Sequence, residues 1–299
     1  MKNFFKEISK ASKQQSKLLS YSEKQLSLMR DLRQSNYFRA LTGKEQEAIS
    51  IQDNRDLSNS NPNNNVIIVS EHSSNDVKYS KILDEEEPFL RSHEATDVGV
   101  FDLTSSISEM SKTLAVCSNF SKLIIDPAQP ILSQRLVREY YREEEQSGVK
   151  IPISINHQGY RLFDRLETYY LEYHKILLDV LEFIQPNIVL NIHTHDPDLS
   201  QTDLDALIYT PEDDSKFTNE IIQSLEKLNL KTLIKKKLRQ NDHQFCSPVL
   251  FENLIYYYQD KTLDGCYISL NSNKLLFEKD FRDGICDSIS EVIRKQSKL

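Results

Sequence analysis

Short apolar runs rich in β-branched residues recur along the chain from residue 66 onward. They are VIIVS at 66–70, KLIIDP at 122–127, NIVLNIH at 187–193, ALIYTP at 206–211 and GCYISLN at 265–271. A continuous apolar run of this length is typical of a strand that is buried on both faces of a sheet. We therefore predict a sheet with these five runs as its strands.

Longer stretches with helical periodicity separate the apolar runs. They predict helices over 98–118, 158–184, 213–228 and 280–296. Strands that alternate with helices indicate an α/β fold with a mixed, mostly parallel sheet and helices on both of its faces. In such folds, ligands bind beyond the carboxyl ends of the strands, so candidate chemistry belongs there.

The first 65 residues follow a different pattern. Leu18, Leu26 and Leu32 belong to a narrow apolar stripe at helical spacing, which predicts a helical N-terminal extension over residues 1–52. Residues 53–65, DNRDLSNSNPNNN, have the composition of a polar linker. The main α/β domain is therefore predicted over residues 66–299.

Charge divides the chain in the same way. The whole protein carries a formal net charge of −8, whereas residues 1–50 hold ten Lys or Arg and five Asp or Glu. The basic extension is either a solvated helix or an arm that docks onto a protein partner. Nucleic-acid binding would rest only on this extension and on KTLIKKKLRQ at 231–240, a pattern typical of a solvated helix face.

Composition excludes several classes of protein. With 38% hydrophobic and 27% charged residues the chain is globular, and it has no apolar run long enough to cross a membrane. It also lacks the apolar core of a secretory signal, so a cytoplasmic location is expected, with a mitochondrial presequence as the alternative. The four cysteines, at 117, 246, 266 and 286, form no C-x-x-C pair, which excludes a ribbon-type zinc site and favours free buried thiols.

Two of the predicted strands run directly into histidine beside a carboxylate. The first is followed by Glu71, His72 and, four residues later, Asp76; the third ends in His193-Thr194-His195-Asp196. A neutral imidazole is a common zinc ligand, and a strand end holds it rigidly. Two such histidines predict a metal site at the carboxyl edge of the sheet.

Two further acidic positions have alternative explanations. Asp97, in SHEATDVG at 92–99, precedes a predicted helix and could cap it as well as bind a metal. Asp126, which precedes Pro127, could simply cap a turn.

These residues, taken in order, resemble the motifs of the N-formylglutamate amidohydrolase family, which is distantly similar to the zinc carboxypeptidases. Family members carry a strand with Glu-His-Ala-Ser-Asn, followed by His-x-x-x-Asp-x-Gly, Asp-x-Asn-Arg, Tyr-Tyr-x-Pro-Tyr-His, His-Ser-Phe-x-Pro, Asp-Val-Gly-Leu-Leu-Tyr and Glu-x-Asn. The corresponding segments here are EHSSN at 71–75, SHEATDVG at 92–99, IDPAQP at 125–130, YYLEYH at 169–174, HTHDP at 193–197, TDLDALIYTP at 202–211 and ISLN at 268–271. The resemblance covers about residues 66–278 and implies a phosphorylase/hydrolase-like fold.

The resemblance implies a zinc site. His72 falls on the family's first metal-binding histidine and His193 on the later one. The carboxypeptidase motif His-x-x-Glu has Asn75 in its fourth position here, and an amide is a poor zinc ligand. A third ligand must then come from elsewhere: Asp97 is preferred because it matches the family's Asp, with Asp76 and Glu71 as alternatives.

Other positions depart from the family pattern. The Asn-Arg pair that resembles a carboxylate clamp is Ala128-Gln129 here, and glutamine cannot replace the forked guanidinium. The late Glu-x-Asn, whose Glu resembles a general base, is Ser269-Leu270-Asn271. Gln129 and Asn271 remain as candidate substrate-binding residues. Loss of a general base typically lowers the rate about 10²–10⁴-fold.

Two functions follow from this combination. The first is a pseudoenzyme that keeps the fold and serves as a structural or interaction subunit of a larger assembly. The alternative is an active zinc-dependent amidohydrolase for a small N-acyl amino acid or related amide, in which Asp97 or Asp196 would be the catalytic base. The departures at Gln129 and Ser269 favour the first function.

Overall fold

The computed structural model describes eleven stretches of the chain. They are residues 48–56, 65–76, 90, 92–129, 136–137, 140–143, 150–152, 162–197, 203–209, 215–235 and 264–296. The predicted extension up to residue 47, most of the predicted linker, Cys246 and the KKLRQ part of the basic run at 236–240 lie outside them.

Seven strands of the described chain form one sheet. They are β1 (Ile49–Asp53), β2 (Val66–Ser70), β3 (Leu114–Ser118), β6 (Ile188–His195), β7 (Ala206–Tyr209), β8 (Thr232–Lys235) and β9 (Asp264–Asn271), in the order β1-β3-β2-β6-β9-β7-β8. The neighbours β3, β2, β6 and β9 pair in parallel, whereas β7 runs antiparallel to β9 and parallel to β8. The predicted mixed α/β sheet is therefore confirmed.

Helices connect and follow these strands. They are α1 (Val100–Ser111), α2 (Leu162–Arg165), a π-helical segment (Leu166–Leu171), α3 (Glu172–Ile184), α4 (Lys216–Glu226), α5 (Ser272–Phe277) and α6 (Lys279–Gln296). A second, two-stranded antiparallel sheet pairs β4 (Tyr140–Glu143) with β5 (Lys150–Pro152). None of the helices in the described part of the chain is both long and apolar enough to span a membrane.

The chain divides into two compact units. One comprises Ile51–Ser73, Asp97–Cys117 and Ile184–Leu299, and it contains helices α1, α4, α5 and α6. The other comprises Met1–Ser50, Ser74–Thr96 and Ser118–Phe183, and it contains the two-stranded sheet. In this second unit Phe120 packs against Tyr169, with ring centroids 5.1 Å apart.

The apolar core of the first unit lies on one face of its sheet. Alternate residues of β6, Ile188, Leu190 and Ile192, join Ile268 of β9 in a cluster that helices α1, α4 and α6 cover with Leu103, Phe217 and Ile289. Alternate side chains of a strand point to opposite faces. The residues of β2 and β6 that point the other way, such as Ile67 and Val189, are equally buried. A sheet buried on both faces explains why the strands read as continuous apolar runs.

The structure corrects two sequence predictions between residues 98 and 127. The predicted helix over 98–118 ends at Ser111, where Lys112 takes a left-handed conformation with φ 53°, and Leu114–Ser118 form β3 instead. The predicted strand over 122–127 is wrong: Leu123 and Ile124 lie in a turn, in which Leu123 N–H donates to the Ser121 hydroxyl. Side-chain hydrogen bonds of this kind stabilise turns in otherwise apolar sequence.

Two strands begin where the sequence predicted other structure. β1 lies at residues 49–53, within the stretch assigned to the extension and linker, and β8 occupies the start of the basic run that reads as a helix face. The expectation of free buried thiols is met at Cys117, Cys266 and Cys286. Burial raises the pKa of Cys117 and of Cys266 to about 12, so both stay protonated at neutral pH.

Candidate metal centre

Strand β6 carries a polar face as well as an apolar one. Asn191, His193 and His195 occupy the positions that alternate with Leu190 and Ile192, so their side chains point away from the apolar core. All three side chains are buried. In the parallel pairing of β6 with β9, His193 lies opposite Ser269 and His195 opposite Asn271. The carboxyl ends of two adjacent strands thus present histidine, serine and asparagine together.

Two residues that follow strand β2 reach the same place. Glu71 and His72 come directly after Ser70 and are almost fully buried. The backbone carbonyl of His72 accepts a hydrogen bond of 2.9 Å from Asp97 N–H. This bond ties the turn after β2 to the segment that precedes helix α1.

Hydrogen bonds near the start of helix α1 hold Asp97 beside the histidines. The N-cap residue of α1 is Gly99, with φ 80°, and not Asp97 as the sequence allowed. A φ of this sign strains any residue with a Cβ atom, which explains a glycine at this position. Thr194 N–H then donates to Asp97 Oδ2 at 3.3 Å, and the Thr194 hydroxyl donates to the Val98 carbonyl at 3.1 Å. These bonds hold the Asp97 carboxylate over the end of β6.

The three residues assigned to a metal site on sequence grounds converge. Asp97 Oδ1 lies 3.4 Å from His72 Nδ1, and Asp97 Oδ2 lies 2.7 Å from His193 Nδ1. The ring centroids of His72 and His193 are 4.9 Å apart, and one ligand atom from each of the three residues lies within 4.8 Å of the other two. Four ligands at tetrahedral zinc distances lie about 3.4 Å apart, so only small side-chain movements separate this arrangement from such a site.

Both edges of the His193 ring face carboxylates. Nδ1 faces Asp97, and Nε2 lies 3.0 Å from Glu71 Oε2. The other Glu71 oxygen accepts a 3.0 Å hydrogen bond from Asn191 Nδ2. Tyr267 of β9 stacks on the ring at a centroid distance of 5.0 Å and an interplanar angle of 25°. The ring is therefore fixed in position on two edges and on one face.

The charge of this cluster suits a cation. Burial tends to raise the pKa of Glu71, but the hydrogen bond to His193 and the charges of His193 and His72 outweigh it, so the pKa of Glu71 is lowered. The carboxylates of Glu71 and Asp97 are thus buried in a place that water does not screen, and they need positive charge beside them. A divalent ion would supply that charge, and the donor set of two nitrogens and one oxygen is one that zinc accepts.

His195 lies beside the cluster in a hydrogen-bonded position of its own. Its Nδ1 is 3.1 Å from the Ser269 hydroxyl and its Nε2 is 3.2 Å from the Leu204 carbonyl. A carbonyl only accepts, so Nε2 donates to Leu204 and Nδ1 accepts from Ser269. Burial lowers the pKa of His195, against the opposing effects of Leu204, Asp97, Ser269 and Asp196, so the ring is neutral at pH 7.

The remaining predicted site residues have identifiable contacts. Asn271 caps helix α5, because its Oδ1 accepts from Lys274 N–H while its Nδ2 donates to the Leu204 carbonyl. Asp196 follows the strand end and is half-buried. Gln129 belongs to the other compact unit, where its carbonyl accepts a 2.9 Å bond from the Tyr170 hydroxyl. Asn75 also belongs to that unit, and its Nδ2 donates to the Leu90 carbonyl.

Sequence reasoning missed Asn191 and the position of Glu71. Asn191 interrupts an otherwise apolar run two residues before His193, so the period-two pattern Asn-x-His-x-His on one strand carried the signal. Which edge of His193 faces Glu71 depends on contacts between residues more than 100 positions apart, and no local pattern encodes that.

The sequence matches no protein-family model, and no curated protein matches it in sequence. Its fold, however, is that of known structures. The gene product Atu2144 from Agrobacterium tumefaciens superimposes with a TM-score of 0.63 at 19% identity, over 84% of this chain and 94% of the other. An N-formylglutamate amidohydrolase from Ralstonia eutropha JMP134 superimposes with a TM-score of 0.56 at 10% identity, over 84% of this chain and 98% of the other. The chain therefore has an α/β fold that is similar to that of an amidohydrolase.

Proposed function

We propose that this protein binds zinc through His72, Asp97 and His193 and keeps this centre without the chemistry of amide hydrolysis, as a metal-stabilised structural or interaction subunit. The observation that carries the proposal is the convergence of two imidazole nitrogens on one buried carboxylate. The fold similarity to an N-formylglutamate amidohydrolase supports it at the level of architecture. A bound zinc ion would supply Lewis acidity and a site for water.

The contacts of the nearby polar groups argue against hydrolysis. Ser269 occupies the position at which the resemblance leads one to expect a glutamate base, and its hydroxyl donates to His195. Both oxygens of Asp97 are engaged, one by His72 and the other by His193 and Thr194. A carboxylate held in this way suits a ligand better than a base, because a base needs a free oxygen within reach of the water.

A second candidate, an active zinc amidohydrolase, is favoured by the number of ligands. Three protein ligands leave the fourth zinc position open to water, which is the arrangement of catalytic sites. Asp196 is half-buried at the end of the same strand and is then the candidate base. The substrate would be a small N-acyl amino acid or related amide, with Asn271 as a candidate contact.

Metal analysis and an assay of hydrolysis distinguish these functions. We expect about one equivalent of zinc per chain in wild type, and none in His72→Ala or His193→Ala. His174→Ala is the matched control, because His174 lies in the other unit against the Pro127 carbonyl. A wild-type protein that takes up no zinc would contradict both functions. Chelator-sensitive cleavage of N-acyl amino acids by the zinc-loaded protein would establish the second.

The proposed interaction role depends on the basic N-terminal segment. Residues 1–50 carry twice as many basic as acidic residues, whereas the rest of the chain is acidic. Because β1 begins at Ile49, a truncation that starts at residue 48 keeps all seven strands that the structure describes in the sheet. We expect this truncated protein to keep its zinc but lose partners that co-purify with the full chain. Retention of every partner would contradict the docking arm.

A further inference from the structure

We propose that Glu71 and Asn191 form a positioning pair that orients His193 so that its Nδ1 faces the cation. This inference rests on the proposed zinc site and concerns two residues that do not themselves bind the ion. Both side chains are buried, and a carboxylate costs free energy to bury unless it is paired, so their place beside His193 calls for an explanation.

The geometry of the imidazole ring separates Glu71 from Asp97. The lone-pair directions of Nδ1 and Nε2 diverge from opposite edges of the ring, so an atom bonded to one nitrogen is remote from an atom bonded to the other. Nδ1 of His193 lies 2.7 Å from Asp97, and Nε2 lies 3.0 Å from Glu71. His72 Nδ1 lies 3.4 Å from the same Asp97 carboxylate, so an ion between the two histidines would lie at Nδ1, on the side of the ring away from Glu71. We therefore assign Asp97, rather than Glu71, as the third ligand.

Glu71 then decides which nitrogen carries the hydrogen. The carboxylate only accepts, so its contact with Nε2 requires an N–H on that nitrogen. The 2.7 Å contact of Nδ1 with Asp97 asks for a hydrogen on that nitrogen as well, so a neutral ring can serve both carboxylates only when a cation takes the place of the Nδ1 hydrogen. The hydrogen that remains is then the one on Nε2, which Glu71 accepts. A carboxylate that accepts from the far nitrogen of a ligand histidine fixes its tautomer and orientation and strengthens metal binding.

Asn191 holds Glu71 in turn. Its Nδ2 donates to Glu71 Oε1 at 3.0 Å, which leaves Oε2 for His193. Asn191 and His193 are two residues apart on one face of β6, so the strand backbone sets the distance between them. Glu71 contacts both side chains and is thereby held against the His193 ring. Tyr267 stacks on this ring and limits its tilt. Of the positioning pair, Glu71 thus lies in the turn after β2 and Asn191 lies in β6.

Glu71→Gln tests the proposal with little change of volume. Glutamine has one acceptor oxygen, whereas Asn191 Nδ2–H and His193 Nε2–H both need one, so one of them would face an amide NH₂. We expect zinc affinity to fall about 10–100-fold. The measurement is competition with a chromophoric chelator, starting from metal-free protein. Glu109→Gln, on the exposed side of α1, is the matched control and should bind as wild type does.

A cobalt spectrum and thermal unfolding of the metal-free proteins separate positioning from stability. Cobalt-loaded Glu71→Gln should show an altered visible spectrum, because the bond to His193 is redirected, whereas a change of stability alone leaves the spectrum unchanged. If Glu71→Gln does not fold, Asn191→Ala gives the result, since it releases Glu71 and keeps the carboxylate. A loss of affinity of a few fold is expected for this variant.

The outcomes distinguish this inference from the proposed function. If wild type binds zinc and His72→Ala does not, the proposed site stands. In that case, affinity within twofold of wild type for Glu71→Gln, or for Asn191→Ala when only that variant folds, overturns the positioning pair alone. If wild type binds no zinc, the proposed site and the positioning pair are both wrong.

Discussion

The two faces of strand β6 are equally buried and chemically opposite. On one face Leu190 and Ile192 join a cluster of aliphatic side chains under helices α1, α4 and α6. On the other, Asn191 and His193 take part in a chain of hydrogen bonds that includes Glu71 and Asp97. The apolar face contributes stability in proportion to the area it removes from water and tolerates repacking. The polar face contributes only if every donor finds its acceptor.

This difference assigns separate tasks to the two faces. An apolar cluster of this size supplies the driving force for folding, and it fixes the spacing of β6 and β9 without specifying any chemistry. The polar groups cost free energy to bury, so their retention opposite that cluster indicates a function that stability alone does not require. Truncating an apolar side chain should therefore leave zinc binding unchanged, and removing a zinc ligand should leave the stability supplied by the apolar cluster unchanged.

The largest effect on stability is expected from Leu190→Ala on the apolar face. Leu190 is fully buried between β2 and β9, so its truncation removes apolar contacts and leaves a cavity. We expect the free energy of unfolding to fall by about 2–5 kcal/mol. The variant should still fold, so urea denaturation of the metal-free proteins measures the difference in unfolding free energy.

Leu276→Ala is the control for this truncation. It removes the same atoms from a side chain that is 45% exposed, so the expected change is within about 0.5 kcal/mol. Equal losses for the two variants would mean that burial on the apolar face does not provide the stability of the sheet.

An effect of intermediate size is expected from zinc. A ligand that binds only the folded protein, at about 100 times its dissociation constant, adds about 2.7 kcal/mol to the free energy of unfolding. Leu190→Ala should gain as much as wild type, since its cavity lies on the opposite face from His193. His72→Ala should gain nothing. Urea denaturation with and without zinc measures all three.

The crossed comparison makes this test specific. A gain in His72→Ala would place the zinc outside the proposed centre. A gain in wild type that Leu190→Ala lacks would show that the two faces are coupled, and the assignment of separate tasks would fail.

The apolar face was readable from the sequence, because burial on both sides of a sheet leaves a continuous apolar run. VIIVS has the same first and last residues as β2, and the runs at 187–193 and 265–271 match β6 and β9 to within two residues. The segment 98–118 was misread because no glycine or proline marks the end of α1. The helix ends instead at Lys112, which takes a left-handed conformation that its residue type does not predict.

The polar face was only partly readable. His72, His193 and Asp97 were identified from strand ends and from the family resemblance, and the structure brings them together. Their bonding pattern depends on which ring nitrogen faces which carboxylate, and that is a property of the packed sheet. The contact of His195 with Ser269 likewise joins residues 74 positions apart, through the register of β6 against β9.

The smallest expected effect is a pH dependence from Cys266, which lies opposite Leu190 in the register of β6 with β9. Burial raises the pKa of this thiol to about 12, which the nearby Asp264 favours and the hydrogen bond to Thr218 opposes. The unfolded thiol ionises near its usual pKa, so its stabilising effect is complete below that value and is lost as the pH rises toward 12. Between pH 8 and pH 10 wild type should lose about 1.4 kcal/mol more unfolding free energy than Cys266→Ala, since the other thiols are common to both proteins. Urea denaturation at the two pH values measures this difference. Equal losses of unfolding free energy in wild type and Cys266→Ala would show that the thiol is ionised as easily in the folded protein as in the unfolded one. Water would then reach the apolar face of the sheet.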